Sequence, residues 1–211
     1  FGPALISDIL VHPENSDIVF ATACGYGASR NQVFRSTDGG ETWQEAFPFF
    51  DNWQGLTVTV PKDGVRSFYA IGRGNPPNLI RSDDDGQTWN YVTITGLSGY
   101  NGTTDIAASK VFPDTLYVLA CGSQRVMKTV DGGATWTNVT NNMPTGYNWS
   151  QAWYDYAIDT GTFEVSGQPR DIVVVGLIDA VISVNGGQSW RNTGGANYTA
   201  TYNNTAIVHN D

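Results

Sequence analysis

Three aspartates stand at or near the start of short apolar stretches and could supply acid–base chemistry. They are Asp8 in "ISDIL", Asp105 in "TTDIA" and Asp155 in "WYDYA". Two carboxyl groups that flank a glycosidic bond can hydrolyse it, one as general acid and the other as base or nucleophile. Carboxylates at strand ends can also accept hydrogen bonds from loop amides, which would give them a structural role. The residues themselves leave both roles open.

Aromatic residues beside Asn, Gln and Asp are concentrated in segments 47–54, 95–104, 141–155 and 194–205. An aromatic ring can stack on the face of a sugar while polar neighbours bind its hydroxyls, although such rings can also pack in the core. Segment 141–155 is longer than a simple connection requires, so we expect ligand contacts there. The candidate ligand-binding residues are Trp53, Tyr100, Tyr147, Trp149, Trp153 and Tyr154.

One octapeptide pattern, Ser/Thr-x-Asp/Asn-x-Gly-x-Thr/Ser-Trp, occurs four times, with starts 46, 47 and 54 residues apart. Each copy lies between two strand-like stretches, and Gly and Asn accept the positive φ of a tight turn, so the pattern predicts a β-hairpin. Its acid and hydroxyl groups can accept hydrogen bonds from turn amides. We therefore predict a structural role for Ser36, Asp38, Gly40, Trp43, Ser82, Asp84, Gly86, Trp89, Thr129, Asp131, Gly133, Trp136, Ser183, Asn185, Gly187 and Trp190.

The sequence does not indicate a metal site. "DDDG" at 83–86 resembles the start of a calcium-binding EF-hand loop, but Ile94 stands where the closing bidentate Glu is needed. His12 and His209 are too few and too far apart to suggest a metal centre. We predict neither a metal nor a cofactor.

Two further strand-like stretches precede each hairpin, such as "LISDILVHP" and "DIVFATACG" in the first repeat. Four strands every 46 to 54 residues form one blade of a β-propeller. We predict an all-β β-propeller of four-stranded antiparallel blades that makes up a single domain over 1–211. Four complete blades are expected at about 4–47, 54–95, 103–141 and 152–193, and 199–211 is expected to hold the first strand of a fifth, so the blades would belong to a larger ring.

The octapeptide resembles the Asp-box, or BNR, repeat of sialidases, family 74 xyloglucanases, sortilin-type receptors and secreted bacterial propellers. In propellers generally, ligands bind around the channel mouth on the face formed by the second-to-third-strand loops and the connections between blades, which we call the crossover face. The Asp-box hairpins would lie on the opposite face, and the three aspartates would face the channel. The Arg-Ile-Pro motif of sialidases is absent, and 21–30, which corresponds to the Asp-Ile-Gly-Gly segment of family 74, lacks that acid.

Two cysteines occupy equivalent positions at the ends of the second strands of blades 1 and 3. Cys24 and Cys121 would then be about 15–20 Å apart, given strand spacing and a central channel. A disulfide requires α-carbons within about 7 Å, so we predict two unpaired, largely buried thiols.

Charge and composition narrow the possible partners. The formal net charge of −9 argues against binding to nucleic acid or to an anionic membrane surface. No apolar run approaches the length of a membrane span, so no membrane insertion is expected. The abundance of Thr, Asn, Gly and aromatic residues and the scarcity of Lys suit an extracellular or cell-surface protein.

Two functions of different classes follow. The first is a secreted or cell-surface Asp-box propeller that binds polysaccharide, another glycan or a surface protein through its aromatic crossover face. The alternative is a glycoside hydrolase resembling family 74 xyloglucanases or sialidases, with Asp8, Asp105 or Asp155 as acid and base. The separation and the hydrogen-bond partners of these carboxyl groups distinguish the two functions.

Overall fold

The described part of the chain consists almost entirely of β-strands. A computed structural model describes residues 5–24, 32–47, 52–74, 77–99, 102–144, 149, 152–177 and 180–193. These residues form sixteen strands and one short 3-10 helix, Thr140–Asn142. The strands form four antiparallel sheets of four strands each, and each sheet follows chain order. The predicted all-β fold of four-stranded blades is confirmed, while the fifth-blade strand predicted at 199–211 lies outside the described residues.

We call the sheets blades 1 to 4. Blade 1 contains β1 (Leu5–Val11), β2 (Val19–Cys24), β3 (Val33–Ser36) and β4 (Gln44–Phe47). Blade 2 contains β5 (Trp53–Val58), β6 (Phe68–Gly72), β7 (Leu79–Ser82) and β8 (Asn90–Val92). Blade 3 contains β9 (Thr104–Ala108), β10 (Leu116–Ala120), β11 (Arg125–Thr129) and β12 (Thr137–Asn138). Blade 4 contains β13 (Ala157–Val165), β14 (Gln168–Gly176), β15 (Ala180–Ser183) and β16 (Arg191–Asn192).

In blades 1 to 3 the second strand is the most deeply buried. Every residue of β6 and β10 is buried, because neighbouring blades cover both faces of the sheet. Their sequences, "FYAIG" and "LYVLA", are accordingly continuous apolar runs rather than alternating ones. The outermost strands β4 and β8 each have two exposed residues and are less buried than the second strands. The core therefore lies between blades.

Each octapeptide forms the hairpin turn between the third and fourth strands. In blade 1, the amide of Thr42 and the hydroxyl of Ser36 donate to Asp38 Oδ1 over 2.8 and 2.6 Å, and the amide of Gly40 donates to Ser36 Oγ over 2.9 Å. The hydroxyls of Ser36 and Thr42 and the Thr42 amide lower the pKa of Asp38 to about 2. These local bonds support the predicted structural role of the motif.

The fourth copy shows that an amide can replace the acid. In blade 4, Asn185 Oδ1 accepts the amide of Ser189 over 2.9 Å, and Asn185 Nδ2 donates to Ser189 Oγ over 2.9 Å. The turn therefore requires an acceptor oxygen at this position and does not depend on charge.

Neighbouring blades pack face to face. Between blades 2 and 3, Ile71 and Leu79 form one buried cluster with Ile106, Leu116 and Val118. The first strands β1, β5, β9 and β13 lie side by side in that order. Both cysteines are free thiols, as predicted; Cys121 is buried, whereas Cys24 is partly exposed and so differs from the expectation of burial.

Candidate functional site

A cleft of about 580 Å³ runs along the first strands of all four blades. Segments of β1, β5, β9 and β13 and the turn before β13 form its wall. Three carboxyl groups, Asp8, Asp105 and Asp159, line it together with Lys110. No residue of the four octapeptides lies among its lining residues. The cleft is therefore the place where the sequence-predicted acids can meet a ligand.

Asp8 joins blade 1 to blade 2. Its Oδ2 accepts the backbone amide of Leu56 over 2.7 Å, and its Oδ1 accepts that of Ile9 over 2.8 Å. Burial raises the pKa of Asp8, while the two amides act in the opposite direction. The carboxylate thus contacts the first strand of the next blade.

Asp105 repeats this arrangement between blades 3 and 4. Its Oδ2 accepts the amide of Ile158 over 2.9 Å, and its Oδ1 accepts that of Ile106 over 2.8 Å. Burial raises the pKa of Asp105 to about 7, and the nearby carboxylates of Asp8 and Asp159 add to the rise. Asp105 is therefore a carboxyl group that exchanges its proton close to neutral pH.

Asp155 is separate from these two acids. It is 4% exposed and does not line the cleft. Its Oδ2 has no hydrogen-bond partner among the described residues. The structure therefore brings Asp8 and Asp105 to one cleft, and Asp155 is not part of its lining.

The sequence analysis did not identify several cleft residues, among them Asp159, Lys110, Gln54 and Tyr156. The hydroxyl of Tyr156, in the turn before β13, accepts a hydrogen bond from Gln54 Nε2 over 3.1 Å. Gln54 Oε1 in turn accepts the amide of Thr104 in blade 3 over 2.8 Å. A single amide side chain thus links blades 2, 3 and 4 inside the cleft. Gln54 lies at an irregularity in the β5–β6 register, a local feature that sequence periodicity does not report.

An exposed aromatic pair stands at the edge of the cleft. Trp153 and Tyr154 are 68% and 52% exposed, and their ring centroids are 4.9 Å apart at 43°. Tyr154 also lines the cleft, so the pair is continuous with the carboxyl-lined wall. Exposed rings beside polar groups are suited to stacking on sugar faces.

The other predicted ligand-binding aromatics have different positions. Trp53 is completely buried in β5 and packs edge-on against Phe47 at 5.8 Å, so the expectation that it contacts a ligand is wrong. The indole is covered because it packs in the buried hydrophobic cluster between blades 1 and 2, where a large aromatic side chain buries much apolar surface. Trp149 is partly buried against the core between blades 3 and 4. Tyr100 and Tyr147 lie outside the described residues.

The described residues were also searched for metal-binding groups and for membrane-spanning helices. They contain no group of three or more His, Cys, Asp or Glu side chains that could hold a metal ion. No helix among them is long and apolar enough to cross a membrane.

The chain is similar in sequence to Asp-box proteins and to a xyloglucanase. The family model described as BNR/Asp-box repeat matches residues 34–45. A xyloglucanase of Paenibacillus sp is 30% identical over 67% of this chain, and the chain spans only 17% of that enzyme's length.

Solved structures share the fold at low sequence identity. The family 74 xyloglucanase of Xanthomonas campestris matches 93% of this chain with a TM-score of 0.63 and 16% identity, and the chain covers 31% of it. YCF48 from Cyanidioschyzon merolae matches 92% of this chain with a TM-score of 0.57 and 17% identity, and the chain covers 57% of it. Both likenesses concern the fold alone.

Proposed function

For this chain, an Asp-box (BNR) repeat protein with the β-propeller fold, we propose binding of a xyloglucan-type polysaccharide along the cleft of first strands. The exposed Trp153–Tyr154 pair carries the proposal, because it offers ring faces beside carboxyl and amide groups. The xyloglucanase relative supplies the class of ligand. A polymer of this kind is encountered outside the cell, so we also propose an extracellular location.

Binding is favoured over hydrolysis by the hydrogen bonds of the two cleft acids. Asp8 and Asp105 each bond two backbone amides, one of which belongs to the next blade. A carboxylate held in this way has a backbone amide bonded to each oxygen and thereby positions the strands. The polar wall would then bind sugar hydroxyls while the aromatic pair stacks on a ring.

Replacing the aromatic pair should weaken glycan binding. We expect Trp153→Ala and Tyr154→Ala each to reduce affinity for xyloglucan oligosaccharides about tenfold, which corresponds to about 1.4 kcal/mol. Isothermal titration calorimetry measures the effect. Tyr91→Ala is the matched control, because Tyr91 is an exposed aromatic residue on β8, the outermost strand of blade 2, and does not line the cleft. Equal losses for Tyr91 and Trp153, or no binding by the unmodified chain, would refute the proposal.

Hydrolysis is the second candidate, and the titration of Asp105 favours it. A carboxyl group with a pKa of about 7, next to Asp8 and Asp159, could hold a proton for a leaving group. If the chain is a hydrolase, Asp105→Asn should reduce the release of reducing ends from xyloglucan at least a hundredfold while binding persists. Absence of reducing-end release by the unmodified chain, together with calorimetric binding, would leave binding as the function.

A further inference from the structure

The hydrogen bonds of Gln54 fix the orientation of its side-chain amide. Its Oε1 accepts the backbone amide of Thr104 over 2.8 Å, and a backbone N–H can only donate. The other end of the side chain is therefore Nε2, a donor, which lies 3.1 Å from the hydroxyl oxygen of Tyr156. In this contact the Tyr156 oxygen is the acceptor.

The position of Gln54 in β5 explains how its side chain reaches the neighbouring blades. Gln54 lies where the pairing of β5 with β6 shifts between Trp53 and Gly55, and such a bulge re-aims a side chain. Ser7 lies at the corresponding shift of β1, and its hydroxyl donates to the carbonyl oxygen of Trp53 over 2.7 Å. Both side chains line the cleft, but the longer Gln54 contacts blade 3 and the turn that leads into blade 4.

The hydroxyl proton of Tyr156 is available to a ligand. A phenol has one hydrogen, which it can donate while its oxygen accepts from Gln54. Among the described residues, the Tyr156 hydroxyl makes no hydrogen bond other than that with Gln54. Because Tyr156 lines the cleft, a ligand bound there can accept this proton.

Tyr156 is held in place by packing and remains protonated. Its ring is partly buried against the core between blades 3 and 4. Burial raises the pKa of its hydroxyl to about 12, and the nearby carboxylate of Asp105 adds to the rise. At neutral pH the hydroxyl is therefore a neutral donor.

The other polar groups of the cleft are mainly acceptors. Asp8, Asp105 and Asp159 each accept a backbone amide, and an ionised carboxylate can only accept. Lys110 is the one cation among the described lining residues. A sugar hydroxyl can accept from Tyr156 and donate to a carboxylate at the same time, which neither an ammonium group nor an ether oxygen can do. The cleft therefore suits a ligand rich in hydroxyl groups.

The stacking pair and the donor belong to one short segment of the chain. Trp153 and Tyr154 present exposed rings, and Tyr156 follows two residues later. Tyr154 and Tyr156 both line the cleft. A sugar ring stacked on the pair would bring hydroxyl groups at its edge towards the polar groups of the cleft.

We propose that Tyr156 donates a hydrogen bond to a hydroxyl group of the bound sugar and that Gln54 positions Tyr156 for this contact. The inference rests on the proposed glycan binding and deepens it, because it names a residue that recognises a sugar hydroxyl. Tyr156 is a binding residue that determines specificity. Gln54 is a positioning residue that acts through Tyr156.

Two substitutions test this inference by different means. Tyr156→Phe removes the donor and keeps the ring. Gln54→Glu keeps the shape of the side chain but places an acceptor oxygen where Nε2 was, so the Tyr156 hydroxyl would donate to residue 54 instead of to the ligand. Tyr91→Phe is the matched control, because it removes a phenol hydroxyl on β8, outside the cleft. Affinity for a xyloglucan oligosaccharide is measured by calorimetry at pH 8, which favours the ionised form of the introduced carboxyl group.

We expect Tyr156→Phe and Gln54→Glu each to lower the affinity about five- to tenfold. The double variant should lose no more than either single variant, because both substitutions remove the same hydrogen bond. Tyr91→Phe should bind as the unmodified chain does. Additive losses in the double variant, or unchanged affinity in both single variants while Trp153→Ala still weakens binding, would overturn this inference alone. No binding by the unmodified chain would refute the proposed function and this inference together.

Tyrosine labelled with carbon-13 at Cζ provides a readout that a purely structural role would not change, since the Cζ resonance responds to the hydrogen bonds of the phenol. Saturating oligosaccharide should shift the Tyr156 resonance in the unmodified chain. The shift should be smaller in Gln54→Glu, where the hydroxyl already donates within the protein. Equal shifts in the two chains would contradict the positioning role of Gln54.

Discussion

Gly86→Ala should lower the free energy of unfolding by about 2–5 kcal/mol, the largest single loss that we expect in this chain. Gly86 has a φ of +77°, which costs an Ala about 1–2 kcal/mol. Its Cβ would also stand 2.7 Å from Phe20 Cζ and closer still to Cε1, and such overpacking adds about 1–3 kcal/mol. Urea unfolding followed by tryptophan fluorescence measures the change.

Gly40→Ala is the matched control for this substitution, because Gly40 is the equivalent residue of blade 1. Its φ is +96°, but its Cβ would contact only Trp43 at an ordinary 3.5 Å. We expect a loss of about 1–2 kcal/mol, from backbone strain alone. Equal destabilisation by the two substitutions would contradict the close packing of Phe20 against the Asp-box turn of blade 2.

Asp105 should make the chain less stable as pH rises from about 4 to about 7. Its pKa is raised from 3.8 to about 7, so the folded chain keeps a proton that the unfolded chain has already released. In that interval the folded state binds more protons, and the free energy of unfolding therefore falls with pH. The shift of about three pKa units corresponds to a loss of about 4 kcal/mol, complete above pH 7.

Asp105→Asn should remove this slope from a plot of unfolding free energy against pH, because Asn does not titrate. Asp63→Asn is the control: Asp63 is exposed in a turn with a positive φ that Asn also adopts, and it does not line the cleft. The control should show the same dependence of unfolding free energy on pH as the unmodified chain. The remaining carboxyl groups titrate in both variants, so they do not account for a difference between them. A profile for Asp105→Asn that coincides with that of the control would contradict the raised pKa of Asp105.

The architecture could be predicted from the sequence because its signals are local. A turn such as Ser36 to Trp43 contains its own donors, acceptors and positive-φ glycines, so eight residues determine its shape. The regular spacing of four such turns then predicts the blades. This prediction does not require knowledge of the contacts between neighbouring blades.

The site was predicted only in part because it depends on contacts between blades. Asp8 and Asp105 were identified as channel-facing acids, but their amide partners Leu56 and Ile158 are about fifty residues away in the chain. The register between blades decides such pairs, and no short pattern encodes it. Trp53 illustrates the same limit. From the sequence alone, an aromatic residue next to the segment that joins two blades could equally contact a ligand or pack in the core.

The central claim is that a glycan binds at the first-strand cleft and not at the Asp-box turns, and the indole N–H resonances of the tryptophans test it most directly. The Asp-box indoles are hydrogen-bonded to backbone carbonyls, those of Trp43 and Trp89 to Gly40 and Gly86 of their own turns. Titration of the isotope-labelled chain with a xyloglucan oligosaccharide should shift the indole resonance of Trp153 and leave those of Trp43, Trp89, Trp136 and Trp190 in place. A shift confined to the Asp-box indoles, with Trp153 unmoved, would contradict the account.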